Sequence, residues 1–291
     1  MLLHRYAVFT AFATFCLIVA GALVTSKEAG LAVPDWPLSY GSLTPPWVGN
    51  IRYEHSHRVI AAAVGLLTMG LALWLWRTEP RRWVRRLGLV ALGTVMAQGI
   101  LGGITVLLFL PAAVSVGHAC LAQAFFCMTV TLALATGPRW AQAAAPALDS
   151  GAPPISQLAT LTTASIFGQL VLGAALRHKG FGILPHLVGA AVVTGMVMWS
   201  LYRVLSVHGA EPGLVRPAGA LGLLLVLQLV LGAASYLARE ATRAAPQPLS
   251  VVVWITVAHV AAGALTLAAS LWLALKSRRL LRTLRLADAQ A

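Results

Sequence analysis

The chain has 291 residues, 59% of them hydrophobic and 10% charged, with a mean hydropathy of +0.82. That composition excludes an ordinary soluble domain and points to a polytopic membrane protein. The formal charge of +13 does not signal nucleic-acid binding, because the basic residues sit beside the apolar runs.

A span needs about 20 mostly apolar residues. Stretches 6–25, 54–76, 87–109, 114–136, 157–176, 185–205, 217–237 and 250–275 qualify. The first is expected to be a retained helix rather than a signal peptide. It is long enough to span, and Lys27–Glu28 after it is a poor cleavage site. Arg77, Arg81, Arg82, Arg85 and Arg86 follow the second span; Lys276, Arg278, Arg279, Arg282 and Arg285 follow the eighth. Such basic loops face the cytoplasm. An even number of spans then places both termini inside and puts 26–53, 110–113, 177–184 and 238–249 outside. The segment 137–156 is Ala/Pro-rich and nearly uncharged, and reads as a cytoplasmic linker between two halves.

The halves repeat. Gln98–Gly99–Ile100–Leu101–Gly102 in the third span recurs as Gln169–Leu170–Val171–Leu172–Gly173 in the fifth and Gln228–Leu229–Val230–Leu231–Gly232 in the seventh. The first span carries a degraded copy, Leu17–Ile18–Val19–Ala20–Gly21. Glycine permits close helix packing and glutamine bonds across helices; the alternative is direct cofactor contact. The expected fold is an all-α membrane protein of eight helices in two duplicated four-helix bundles. The N-terminal half is 1–136 with an outer loop at 26–53; the C-terminal half is 157–291 with a basic tail.

Each even-numbered span carries one histidine near its outer end: His57, His118, His186 and His259. His259 looks deeper than the others unless its helix begins above the membrane. His57 and His186 are 129 residues apart (186 − 57), and Gln98 and Gln228 are 130 apart (228 − 98). The frame therefore pairs His57 with His118 and His186 with His259. Two histidines on facing helices suit the two faces of a haem iron. Zinc is less suited, because no thiolates or clustered carboxylates lie nearby. Cys16, Cys120 and Cys127 lie inside apolar segments and read as small buried residues. His4, His178 and His208 fall in or beside loops and are not expected to be ligands. His55 reads as a spare interfacial imidazole, with a residue that supports the neighbouring site as the alternative.

The halves are not equivalent. Tyr53–Glu54–His55–Ser56–His57–Arg58 opens the second span, and an ionisable cluster there is a functional signal. Glu54 and His57 share a helix face. Their counterparts in the second half lack the carboxylate, since Ile183 stands where Glu54 would and Leu187 where Arg58 would. Only the first half has the long outer loop Glu28 to Gly41, whose prolines and aromatics suit an ordered lid. This places a reactive site in the first half and an electron-relay haem in the second. Glu54 is the expected proton donor, proton acceptor or charge stabiliser, with a salt bridge to Arg58 as the structural alternative. Haem propionates need cations, for which Arg58, Arg177, Lys179, Arg239 and Arg243 are candidates.

At Gly30–Leu31, Pro34–Asp35–Trp36–Pro37–Leu38, Glu54–His55–Ser56–His57–Arg58 and the four alternating histidines, the chain resembles the haem A synthase family. The resemblance implies oxidation of the haem O methyl group to the formyl of haem A by successive hydroxylation. It implies that His57 and His118 flank the substrate haem O, that His186 and His259 hold haem b, and that Glu54 is needed for activity. The expected location is the cell (inner) membrane, multi-pass, and the charge-based orientation puts the haem sites toward the outer face. A haem O-producing farnesyltransferase, terminal oxidase assembly factors and an electron donor of unknown identity are the implied partners. Many bacterial relatives carry a cysteine pair in the first outer loop; Leu31 to Gly41 has none. The Gly99–Gly103 face leaves self-association open. The alternative function is a di-haem b cytochrome that carries electrons without substrate chemistry. A transporter ranks last, since its polar groups would lie at the midplane.

Overall fold

The computed structural model describes residues 1–141 and 147–283. Eight of its helices are long and apolar enough to cross a membrane. They are α1 (Leu2–Ser26), α2 (Ile51–Thr78), α3 (Arg82–Leu107), α4 (Ala112–Thr136), α5 (Ile155–Arg177), α6 (Ile183–His208), α7 (Pro212–Ala241) and α8 (Ser250–Leu280). Helices satisfy their own backbone bonds, which lipid cannot. Prolines set several boundaries: Pro111 and Pro154 immediately precede α4 and α5, and Pro212 opens α7, where Glu211 caps the Gly213 N–H. Most helices run a few residues past the apolar stretch that predicts them, because the polar ends also keep helical geometry, while α3 stops at Leu107, two residues short of its stretch.

In the first half α1 packs on α2 and α4, and α3 packs on the same two, closing a ring of four. In the second half α6 and α8 each pack on both α5 and α7 in the same way. The first ring is filled by Val64, Leu71, Leu75, Phe125 and Leu132, the second by Val197, Leu214, Leu221, Leu267 and Leu273. The rings meet where α8 packs on α1 and α4. Ile18, Phe126 and Ala264 fill one part of that seam, and Ala22, Val253 and Val257 another. Large apolar side chains such as Phe12, Leu66 and Leu223 line the outside, as lipid contact allows.

One end of the molecule carries the larger share of the basic residues. His4 of α1 bonds the Ala133 carbonyl near the end of α4, and Arg81 in the α2–α3 turn bonds the Ala135 carbonyl. Arg81 also pairs with Glu79 at 2.6 Å and holds that carboxyl below its usual range. The segment expected as a plain linker has more structure than that. A helical turn covers Pro138–Ala141, and β1 (Ala147–Asp149) pairs in parallel with β2 (Leu281–Thr283) after α8. Asp149 is buried and accepts from the Ile155 N–H at 2.6 Å, which anchors the start of α5. Arg285 of the basic tail lies outside the described residues. The opposite end carries the long loop between α1 and α2 and the starts of all four even-numbered helices.

Candidate functional site

Each of the four histidines rests on the glycine of the repeated motif in the preceding helix. A Cβ placed at Gly21, Gly102 or Gly173 would come within 3.1 Å of Cε1 of His57, His118 or His186, and one at Gly232 within 3.0 Å of His259. A side chain at any of the four would press on the imidazole and make it give by a few tenths of an ångström, so the glycines make the seats of the imidazoles. The motif glutamines hold the same histidines. Gln98 donates to the His118 carbonyl and Gln169 to the His186 carbonyl, both at 2.8 Å. Gln228 lies 3.4 Å from the His259 Nε2. The motif thus packs helices, and what it packs is the histidine.

His186 is the fourth residue of α6 and His259 the tenth of α8. Their ring centroids are nevertheless 6.4 Å apart at an interplanar angle of 78°. The apparent extra depth of His259 is an effect of α8 starting about 9 Å further out at 1.5 Å per residue. Two metal–nitrogen bonds of about 2 Å each, with the radii of two rings, come to about this separation. Nδ1 of His57, His118 and His259 is buried without a protein partner. Among the described residues, no three of His, Cys, Asp and Glu cluster as a metal site. His186 and His259 bring two imidazoles from separate helices face to edge, a chemistry that fits haem iron better than structural zinc.

The first half adds a clamped loop. Glu54 is buried; Oε1 lies 2.6 Å from Arg58 Nη2, and Oε2 accepts the Val33 N–H at 2.9 Å. Arg58 Nη1 donates to the carbonyls of Asp35 and Leu38, each at 2.6 Å, and Nη2 reaches the Val33 carbonyl at 3.1 Å. The salt bridge to Arg58 is thus formed, and four of the five guanidinium N–H groups are engaged by the loop and Glu54. His55 is buried rather than spare: its Nδ1 meets Ser39 Oγ at 2.9 Å, and Trp47 stands edge-on to its ring. Asp35 folds the loop tip by accepting from the Tyr40 and Gly41 N–H groups at 2.7 and 2.8 Å. Those two bonds, Gly41 foremost, hold its carboxyl below the usual range. Trp36 covers Gly103 so closely that a Cβ there would fall 2.6 Å from the indole.

Among the other cations, Arg177 at the end of α5 crosses the seam to α1. Its Nη2 donates to the Ala22 carbonyl at 2.7 Å and to Ser26 Oγ at 2.6 Å. Lys179 and Arg239 are exposed at the same end, and Arg243 lies 3.9 Å from Glu240.

Residues 48–185 match the COX15-CtaA family, described as cytochrome oxidase assembly protein. The haem A synthase of Symbiobacterium thermophilum is 33% identical over 222 residues, which is 73% of this chain and 69% of that protein. The chain belongs to the haem A synthase family. Shorter matches include the haem A synthase of Alkalihalophilus pseudofirmus, 33% identical over 34% of this chain and 35% of that protein. Another is that of Brucella anthropi, 30% identical over 40% of this chain and 36% of that protein. The outer loop between α1 and α2 has no cysteine, and Cys16, Cys120 and Cys127 are free thiols inside α1 and α4. Sequence reasoning missed the glycine seats, the Ser39–His55 bond and the Trp36–Gly103 contact. The repeated glycines were the one signal available for the seats.

Proposed function

We propose that this chain oxidises the methyl group of haem O to the formyl group of haem A by successive hydroxylation. The observation that carries the reading is the asymmetry of the halves. Both have histidines seated on glycines, but only the first has a lid fastened at its outer end by Glu54, His55 and Arg58. A lid matters for chemistry on an unactivated C–H bond, because it excludes water from a reactive intermediate. An electron carrier has no such need.

In this reading His57 and His118 flank substrate haem O, and His186 and His259 hold a resident haem b. The haem b supplies one-electron redox chemistry when bound. Gln169 and Gln228 orient the second pair of imidazoles, and Gly173 and Gly232 set their depth. Glu54 has both carboxylate oxygens on the lid and its arginine, so the geometry supports a positioning role ahead of a direct proton transfer. Lys179 and Arg239 are the exposed cations nearest in kind to propionate partners, and Arg177 follows with its seam bonds. The protein is an integral multi-pass membrane protein; we place it in the inner membrane with both termini in the cytoplasm and the haem sites toward the outer face. The two rings are read as duplicated halves. A haem O-producing farnesyltransferase and terminal oxidase assembly factors are the proposed partners.

The test is a set of single variants made in a host that supplies haem O. His118→Ala and Glu54→Ala are expected to retain haem b and lose haem A. His259→Ala is expected to lose haem b. Normal haem A formation in His118→Ala would overturn the assignment of the first site.

A further inference from the structure

Trp36 is held between the two helices that lead into the first-half site, the start of α2 and the wall of α3. The residues on either side of Trp36–Pro37, namely Asp35 and Leu38, each give a carbonyl to Arg58 Nη1 at 2.6 Å. Arg58 directly follows His57 in α2. On its other side the indole lies on Gly103, which directly follows the glycine that seats His118. Trp36 thus lies against the wall of α3 while the carbonyls on either side of Trp36–Pro37 are held at the start of α2. Trp36 is 41% exposed although its flanking carbonyls are held by Arg58. An indole fixed on one side with its other face free has a flat apolar surface available to a ligand.

We propose that Trp36 is a wall of the substrate-haem cavity and determines how long the macrocycle stays in the first site. This rests on the assignment of His57 and His118 to haem O. The loop bonds of Glu54, His55 and Arg58 act through Trp36, and Gly103 is glycine because the indole occupies the place of its side chain. A flat, apolar aromatic face is the group expected to meet a porphyrin edge or plane, and it is carried by the half that must hold its haem only for one reaction.

The experiment follows haem release from purified full-length protein into excess apomyoglobin, with haem O supplied by the host. Release from the first site is expected to be about tenfold faster in Trp36→Ala, the loss of one aromatic contact. Trp36→Phe should stay close to the parent. Gly103→Ala should match Trp36→Ala, because the new methyl displaces the indole. Gly99→Ala, where a Cβ meets nothing within 4 Å, should release haem at the parent rate. Combining Gly103→Ala with Trp36→Ala should add nothing to either alone. The spectrum of the second-half haem reports that each variant is folded. Equal rates in the parent and Trp36→Ala, or a full effect of Gly103→Ala in the Trp36→Ala background, would overturn this proposal alone. A parent protein that carries haem only in the second half would overturn the first-site assignment together with it.

Discussion

Glu54 divides its carboxylate between a lid N–H and the guanidinium that grips three lid carbonyls. Removing one partner of a buried pair costs about 3–5 kcal/mol when the other charge is stranded. Here Arg58 keeps its carbonyls, so Glu54→Gln should loosen the lid by the lower part of that range. The expected readout is faster amide exchange at 31–41 with α3 to α8 unchanged. Asp35 gives a second handle. Its folded-state pKa lies below the unfolded value, so its contribution to lid order is complete above about pH 4 and is lost as pH falls through the folded value. Exchange protection at Tyr40 and Gly41 should be flat from pH 8 to pH 5 and fall below about pH 4. A decline that began near neutrality would point to another group. Sequence alone showed that Glu54, His57 and Arg58 belong together, because ionisable residues at a span entrance are rare. It could not show that Arg58 grips carbonyls 20–25 residues earlier in the chain, because those bonds run to backbone atoms that every residue possesses.

At the scale of the helix, the recurrent glycine is explained by what rests on it. Valine at Gly232 would put a branched side chain where a Cβ alone already lies 3.0 Å from His259 Cε1. Gly232→Val is therefore expected to lose the second-half haem, read as a fall of one haem per chain in the pyridine haemochrome spectrum. Gly219→Val in the same helix, where nothing lies within 4 Å, should keep it. The repeat of Gln and Gly was legible as a pattern. Which histidine each glycine seats was not, because the separation follows loop length: 16 residues for Gly102 and His118 (118 − 102), but 36 for Gly21 and His57 (57 − 21). The spans themselves were legible, since about 20 apolar residues in lipid leave the backbone no alternative to a helix. The pairing of Ala147–Asp149 with Leu281–Thr283 was hidden, as three-residue strands are too short to show a period.

For the whole molecule, two rings of four helices share a seam along α1 and α8, and Arg177 bridges that seam at the outer-loop end. Only the first half carries the clamped outer loop, and under the proposed function its histidines take a transient occupant and those of the second half a permanent one. That division is the central claim, and extraction and chromatography of the haems bound to the purified protein test it most directly. From a host that supplies haem O, the account predicts haem B together with haem A or a hydroxylated form of haem O. Haem B alone at about two per chain, one for each histidine pair, would contradict it and make the protein an electron-carrying cytochrome.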